Sequence, residues 1–319
     1  MDRRRLLGVA LAVASACGYG SGALFAKSVY ATGIDWLGLL FWRFLIAGLL
    51  VWAWALAFQA NRDGLRALTR RRTLALLGLG AFFVMNAGTY YASLQYVSAS
   101  LAALIVYIYP ALVAVLSIRW GHGLHGRRPW LALALVTAGV AMTIGGIQGR
   151  AEPIGIALIV ASPIIYSVYI ILSARVAGER RGKTAASRTG AGAETRPAVA
   201  AALMITGTFV VVAVLAVPAG EPVLPSQVPA GAWFGLIGIA VFSTAVAMSA
   251  FYAATARIGA AQTALVSTVE PIWTITLATL FFDERLGPLQ LLGGALVIGG
   301  VILAQTTPGA VPEVVVEEA

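Results

Sequence analysis

The chain has 319 residues, of which 60% are apolar and only 11% charged. A soluble protein carries roughly 25% charged residues, so a water-solvated globule is excluded, and uncharged apolar runs of about 20 residues read as membrane-crossing helices. The net charge of +9 does not point to nucleic acid, because the basic residues sit in short loops between the apolar runs, where topology signals sit.

Taken in order, the sequence predicts ten spans, at residues 6–25, 37–58, 73–91, 99–118, 129–147, 155–174, 198–217, 233–254, 260–282 and 286–305. In lipid every backbone polar group must be satisfied internally, so helices are the expected form and the predicted class is an all-α membrane protein. Arg3, Arg4 and Arg5 before the first apolar run, and Ala14-Ser15-Ala16-Cys17 within it, imitate a signal peptide. Ser15 and Tyr19 recur as Ser162 and Tyr166, however, so this span is expected to belong to the fold. Cys17 is the single cysteine, which excludes an intramolecular disulfide. Most of the Lys and Arg residues fall at the amino terminus, in loops 59–72, 119–128 and 175–197, and at Arg257. With ten spans all of these lie on one side, which the positive-inside rule makes the cytoplasm, with both termini on that side.

The chain is internally duplicated. Tyr91, Ala103, Pro110, Gly126 and Gly139 recur 161 residues later as Tyr252, Ala264, Pro271, Gly287 and Gly300. Each copy has five spans, an odd number, so the copies are expected to be inverted, as is usual in secondary transporters. The predicted units are residues 1–147 and 148–305, with a polar cytoplasmic linker at 175–197 and an acidic, disordered tail at 306–319.

Within the spans, Glu270 is the strongest chemical signal. A charge near the bilayer centre costs about 3 kcal/mol on insertion scales and normally faces a cavity or a partner. It reads either as an amine ligand or proton-coupling carboxylate, or as half of a structural ion pair. Pro110 and Pro271 occupy equivalent positions; each should kink its helix and free a carbonyl, at Val106 and Ser267. Arg43, among Phe41, Trp42 and Phe44, is a candidate carboxylate ligand or a partner for Glu270 or Asp35. Lys27 ends the first span, where it can snorkel to the interface. Tyr19, Asn86, Tyr107, Tyr109, Tyr166 and Trp273 are candidates to line a cavity. The small pairs Ala134/Ala138, Ala295/Gly299 and Gly18/Gly22 read as helix-packing surfaces. His122 and His125 are a weak metal signal in a loop, and no HExxH, GxSxG or Walker motif is present, so no metal, cofactor, catalytic activity or ATP drive is expected.

Residues 255–303 resemble the second EamA repeat of the drug/metabolite transporter superfamily, and residues 96–142 resemble the first. The shared features are the Arg257–Ala260 turn, the Glu270-Pro271 pair, the acids Asp283 and Glu284 ending that span, and the glycine-rich last span. Gly121-His122-Gly123 replaces the acid that usually ends the fourth span. The resemblance implies the ten-helix exporter group, with a central cavity and alternating access across the inner membrane. It also implies small polar metabolites as substrates, amino acids and their derivatives first; a single membrane acid, Glu270, makes a proton a candidate coupling ion and is equally compatible with a facilitator. Arg43 matches the family's frequent second-span arginine. Organic cations and a lipid-linked substrate are the alternative cargoes. Monomer and homodimer are both open.

Overall fold

The computed structural model describes residues 3–109, 112, 113, 116, 127–145, 152–177, 196–258, 263 and 266–305. All regular structure among them is helical: α1 (Arg3–Gly20), α2 (Gly22–Tyr30), α3 (Trp36–Ala57), α4 (Gln59–Arg66), α5 (Arg70–Ser93), α6 (Ala99–Val106), α7 (Arg128–Gly145), α8 (Pro153–Ala177), α9 (Pro197–Ala216), α10 (Ala232–Ala240), α11 (Ala247–Ile258), α12 (Val269–Phe282) and α13 (Pro288–Gln305). A short 3₁₀ turn lies at Pro225–Gln227, and a π-helical segment, Val241–Val246, joins α10 to α11. Among the described residues, six helices are long and apolar enough to cross a membrane, with shorter apolar ones at Trp130–Ile144, Val269–Phe282 and Pro288–Leu303. The fourth predicted span is described mainly as α6. Pro110, Gly121, His122, Gly123, His125, most of the linker and the tail lie outside the described residues.

The helix ends follow from local chemistry. Asp35, Thr69 and Ser98 each accept a backbone N–H from the first turn of α3, α5 and α6, which supplies partners for amides that no intrahelical carbonyl can reach. The first span is interrupted at Ser21 between Gly20 and Gly22, where the Ser21 hydroxyl donates to the Cys17 carbonyl at 2.7 Å. Such back-bonding competes with the helical ladder and bends it.

The largest apolar core is built around α3, α5, α6, α9 and α10. There α5 and α9 cross almost in contact. A Cβ on Gly80 would run into the Met204 carbonyl, and one on Gly207 into the Leu77 carbonyl. The approach lets the Thr208 hydroxyl donate across to the Gly80 carbonyl at 2.8 Å. Gly207→Leu is therefore expected to lower stability by about 1–3 kcal/mol through overpacking, read as a lower Tm of the detergent-solubilised protein.

Helices α7 and α13 pack along each other, through residues other than those expected. Ala134, Ala138, Ala295 and Gly299 are exposed. Gly139 meets Gly293 and Val297, and Gly300 meets Val136 and Ala132. An alignment between repeats identifies equivalent positions but not the face on which they lie, which is why the packing surface is displaced. Gly18 and Gly22 do pack closely, against Ala247 and Ser243.

Candidate functional site

The ninth predicted span is broken rather than kinked. Ser267 and Thr268 form a turn, and α12 starts afresh at Val269. Pro271 therefore lies in the first turn, where its missing N–H would have had no helical partner. The carbonyl expected to be freed, Ser267, accepts the Glu270 N–H at 2.9 Å and the Tyr107 hydroxyl. One hydroxyl from α6's end thus seals the break in the opposite half of the chain. The break also places Glu270 in the first turn of α12, where the helix dipole favours a negative charge.

Glu270 is surrounded by protein yet keeps some accessible surface. Among the described residues its side chain meets one hydroxyl, that of Tyr107 at 3.4 Å from Oε2, whose proton is directed mainly at the Ser267 carbonyl. The rings of Tyr107, Tyr109, Tyr166 and Tyr169 run in sequence beside it, with centroids 6.0, 4.9 and 6.0 Å apart. Glu270 interacts electrostatically with Tyr90, Tyr91, Tyr107, Tyr109 and Tyr166. The hydroxyls of Tyr90, Tyr109 and Tyr166 have no hydrogen-bond partner among the described residues. On the other side, the interrupted first span presses against α12. Thr274 donates to the Gly20 carbonyl at 3.0 Å, and Trp273 Nε1 donates to the Ser21 hydroxyl at 3.1 Å. Tyr19 interacts with Tyr166, and its carbonyl accepts from Ser243. Asn86 lies farther along, its Oδ1 accepting from Ser162 at 3.0 Å.

Arg43 is buried, at 8% exposure, and is not joined to Glu270 or Asp35 among the described residues. Its Nε donates to Thr244 Oγ1 at 3.1 Å, and its guanidinium carbon lies 4.8 and 5.4 Å from the ring centroids of Tyr91 and Phe44. Thr244 reaches it because the π-helical segment shifts the helix register: its hydroxyl donates five residues back, to the Ile239 carbonyl at 3.0 Å. π-bulges concentrate at functional sites. Thr244→Val is expected to leave a buried charge short of an acceptor and to cost about 1–3 kcal/mol, measured as a fall in Tm against Thr244→Ser.

The model of the EamA-like transporter family matches residues 6–145 and 153–306. The chain belongs to that family. It is 26% identical to the uncharacterized transporter YcbK of Bacillus subtilis over 304 residues, covering 93% of this chain and 90% of that protein. Over 220 residues it is 26% identical to the threonine/homoserine exporter RhtA of Escherichia coli K12, covering 67% of this chain and 64% of RhtA. A solved crystal structure aligns with a TM-score of 0.62 at 19% identity over 94% of this chain and 97% of its own, a likeness of fold. The chain is thus a multi-pass membrane protein of a transporter family.

In this EamA-family chain the residues that sequence reasoning underrated lie at the far end of α12. Lys27 does not simply snorkel. Its Nζ lies 3.1 Å from Glu284 Oε1 and 5.7 Å from the Phe282 ring centroid. Glu284 also accepts the Ala99 and Ser100 amides, each at 3.0 Å, and the Ser100 hydroxyl at 2.9 Å. One carboxylate thus caps α6 and ties it to α2 and α12. Opposite charges at matching ends of the first and ninth spans were the available signal.

Proposed function

We propose that the chain is a secondary transporter, not an enzyme, that exports small polar metabolites, amino acids or their derivatives, across the inner membrane by alternating access. The observation that carries this reading is Glu270: an enclosed carboxylate that keeps accessible surface, beside a helix break and a wall of tyrosines. In this reading Glu270 meets a substrate amine or a coupling proton. Tyr19, Tyr107, Tyr109, Tyr166 and Trp273 form the walls, and Asn86 holds the neighbouring helix pair. Amino acids come first among substrates because RhtA, by name, exports threonine and homoserine.

The proposed architecture is ten helices in two inverted five-helix repeats, residues 1–147 and 148–305, with both termini cytoplasmic. Paired contacts support it. The Ser15 hydroxyl donates to the Ala247 carbonyl at 2.8 Å, and the Ser162 hydroxyl to Asn86 Oδ1 at 3.0 Å; Ser15 and Ser162 are repeat equivalents, as are Asn86 and Ala247. In the same way α1 packs on α11 and α12, while α8 packs on α5 and α6. Inverted halves can rock about a midplane site.

The test is efflux from cells preloaded with labelled amino acids, threonine and homoserine included. Expression of the chain should speed release of at least one of them over a vector control. Unchanged release across the panel, with the protein present in the membrane, would favour organic cations or a lipid-linked substrate instead.

A further inference from the structure

Glu284 holds three helices together at one end of the bundle, and the residue before it turns it there. Asp283, at φ 51°, is the only non-glycine residue with a positive φ among the described residues. That left-handed conformation is costly for a residue with a Cβ and persists where the surrounding structure demands it. It ends α12 and brings the Glu284 N–H back to the Ala278 carbonyl at 3.3 Å. The Glu284 carboxylate then lies across the start of α6, on the Ala99 and Ser100 amides and the Ser100 hydroxyl, with Lys27 Nζ from α2 at 3.1 Å. The neighbouring Asp283–Arg285 pair is 82% and 83% exposed, and such a pair contributes little. In the proposed architecture α2 and α6 belong to one repeat and α12 to the other, so the Glu284 contacts join the halves that alternating access has to separate. The opposite face has no residues to copy them. At the 161-residue offset between the repeats Glu284 corresponds to Gly123, and Ser100 to Ala261. At the 147-residue offset that pairs Ser15 with Ser162, Lys27 corresponds to Ala174. Inverted repeats exchange their roles between the two access states, so only one state gains these charge-assisted bonds.

We infer that Lys27, Glu284 and Ser100 form a one-sided latch, which closes the end of the bundle away from the termini and biases the empty chain toward the state closed there. In the proposed topology this is an exporter at rest, closed to the outside and waiting for its solute on the cytoplasmic side. The inference rests on reading the chain as an alternating-access carrier.

The test is the distance between spin labels at Tyr96→Cys, just before α6, and Leu280→Cys, on α12, in the full chain carrying Cys17→Ser, in nanodiscs without solute. Both side chains are exposed and neither belongs to the latch. With the latch intact, the closed distance should dominate. Glu284→Gln should raise the ratio of a longer-distance population to the closed one by about tenfold or more. Lys27→Met, which leaves the capping amides in place, should raise it by about two- to tenfold. Arg285→Ala should leave the distribution unchanged. A purely structural role would lower Tm in the latch variants without adding a second distance. Should Glu284→Gln fail to fold, Lys27→Met decides alone. The inference is overturned if the folded latch variants keep the single closed distance, or if the intact chain already favours the longer one. The two readings fail separately. A second distance in the variants without solute movement in vesicles defeats the transporter reading and keeps the latch. Saturable transport by a chain whose distances ignore both latch substitutions does the reverse.

Discussion

Glu270→Gln is expected to cut exchange of an amine-bearing substrate by about 10–100-fold, with little change in the Tm of the protein. The size follows from losing one charged hydrogen bond of about 1.5–3 kcal/mol to the solute. The fold should tolerate the change because the structural contacts of residue 270 are made by its backbone. Its N–H donates to the Ser267 carbonyl at 2.9 Å, and its own carbonyl, 3.1 Å from the Thr274 hydroxyl, shares that proton with the Gly20 carbonyl. Glutamine keeps the shape and an oxygen for the Tyr107 hydroxyl, and it removes an enclosed charge. Exchange measured in vesicles beside a melting curve separates the two roles. A matching collapse of Tm and exchange would make Glu270 a structural residue.

Glu284→Gln should behave in the opposite way, lowering stability first. The glutamate side chain is only 12% exposed and serves two backbone amides, one hydroxyl and Lys27. The amide group would turn a donor toward one of those N–H groups and lose the attraction to Lys27, for a cost of about 2–3 kcal/mol. Lys27→Met should cost less, because the capping bonds survive it. The effect depends on pH. Burial pushes the Glu284 carboxyl up, but the Ser100 and Ala99 amides, Lys27 and the Ser100 hydroxyl outweigh it and hold the group below the usual carboxylate range. A depressed acid contributes stability that is fully present above its unfolded value, about pH 4.3, and that is lost as pH falls through the lower folded value. The Tm difference between wild type and Glu284→Gln should therefore be widest near neutral pH and should close in the acid range. A difference that stays constant with pH would mean that the carboxylate's charge contributes nothing.

Much of the fold was legible because its cause is one-dimensional. Apolar run length predicts membrane helices directly, and the runs at 37–58, 73–91 and 198–217 correspond to α3, α5 and α9. Glu270 was conspicuous because an acid in an apolar run has few physical excuses. What sequence could not carry was facing and register. Gly80 and Gly207 meet only because α5 and α9 cross at that height. The exposed stripe of Ala134, Ala138, Ala295 and Gly299 has the right spacing on the wrong face. The π-helical segment that brings Thr244 to Arg43 leaves no mark in an apolar pattern. Pro271 announced a disturbance, but whether it bends a helix or starts one depends on the turn at Ser267 and Thr268, which the Tyr107 hydroxyl completes from another helix.

The most direct measurement is counterflow in proteoliposomes containing the purified chain, with a panel of labelled aromatic, aliphatic and charged amino acids and the corresponding amines. A secondary transporter with its site at Glu270 should show saturable exchange of some members, abolished or strongly reduced by Glu270→Gln and absent from protein-free vesicles. Silence across the whole panel, with protein that melts cooperatively, would contradict the account.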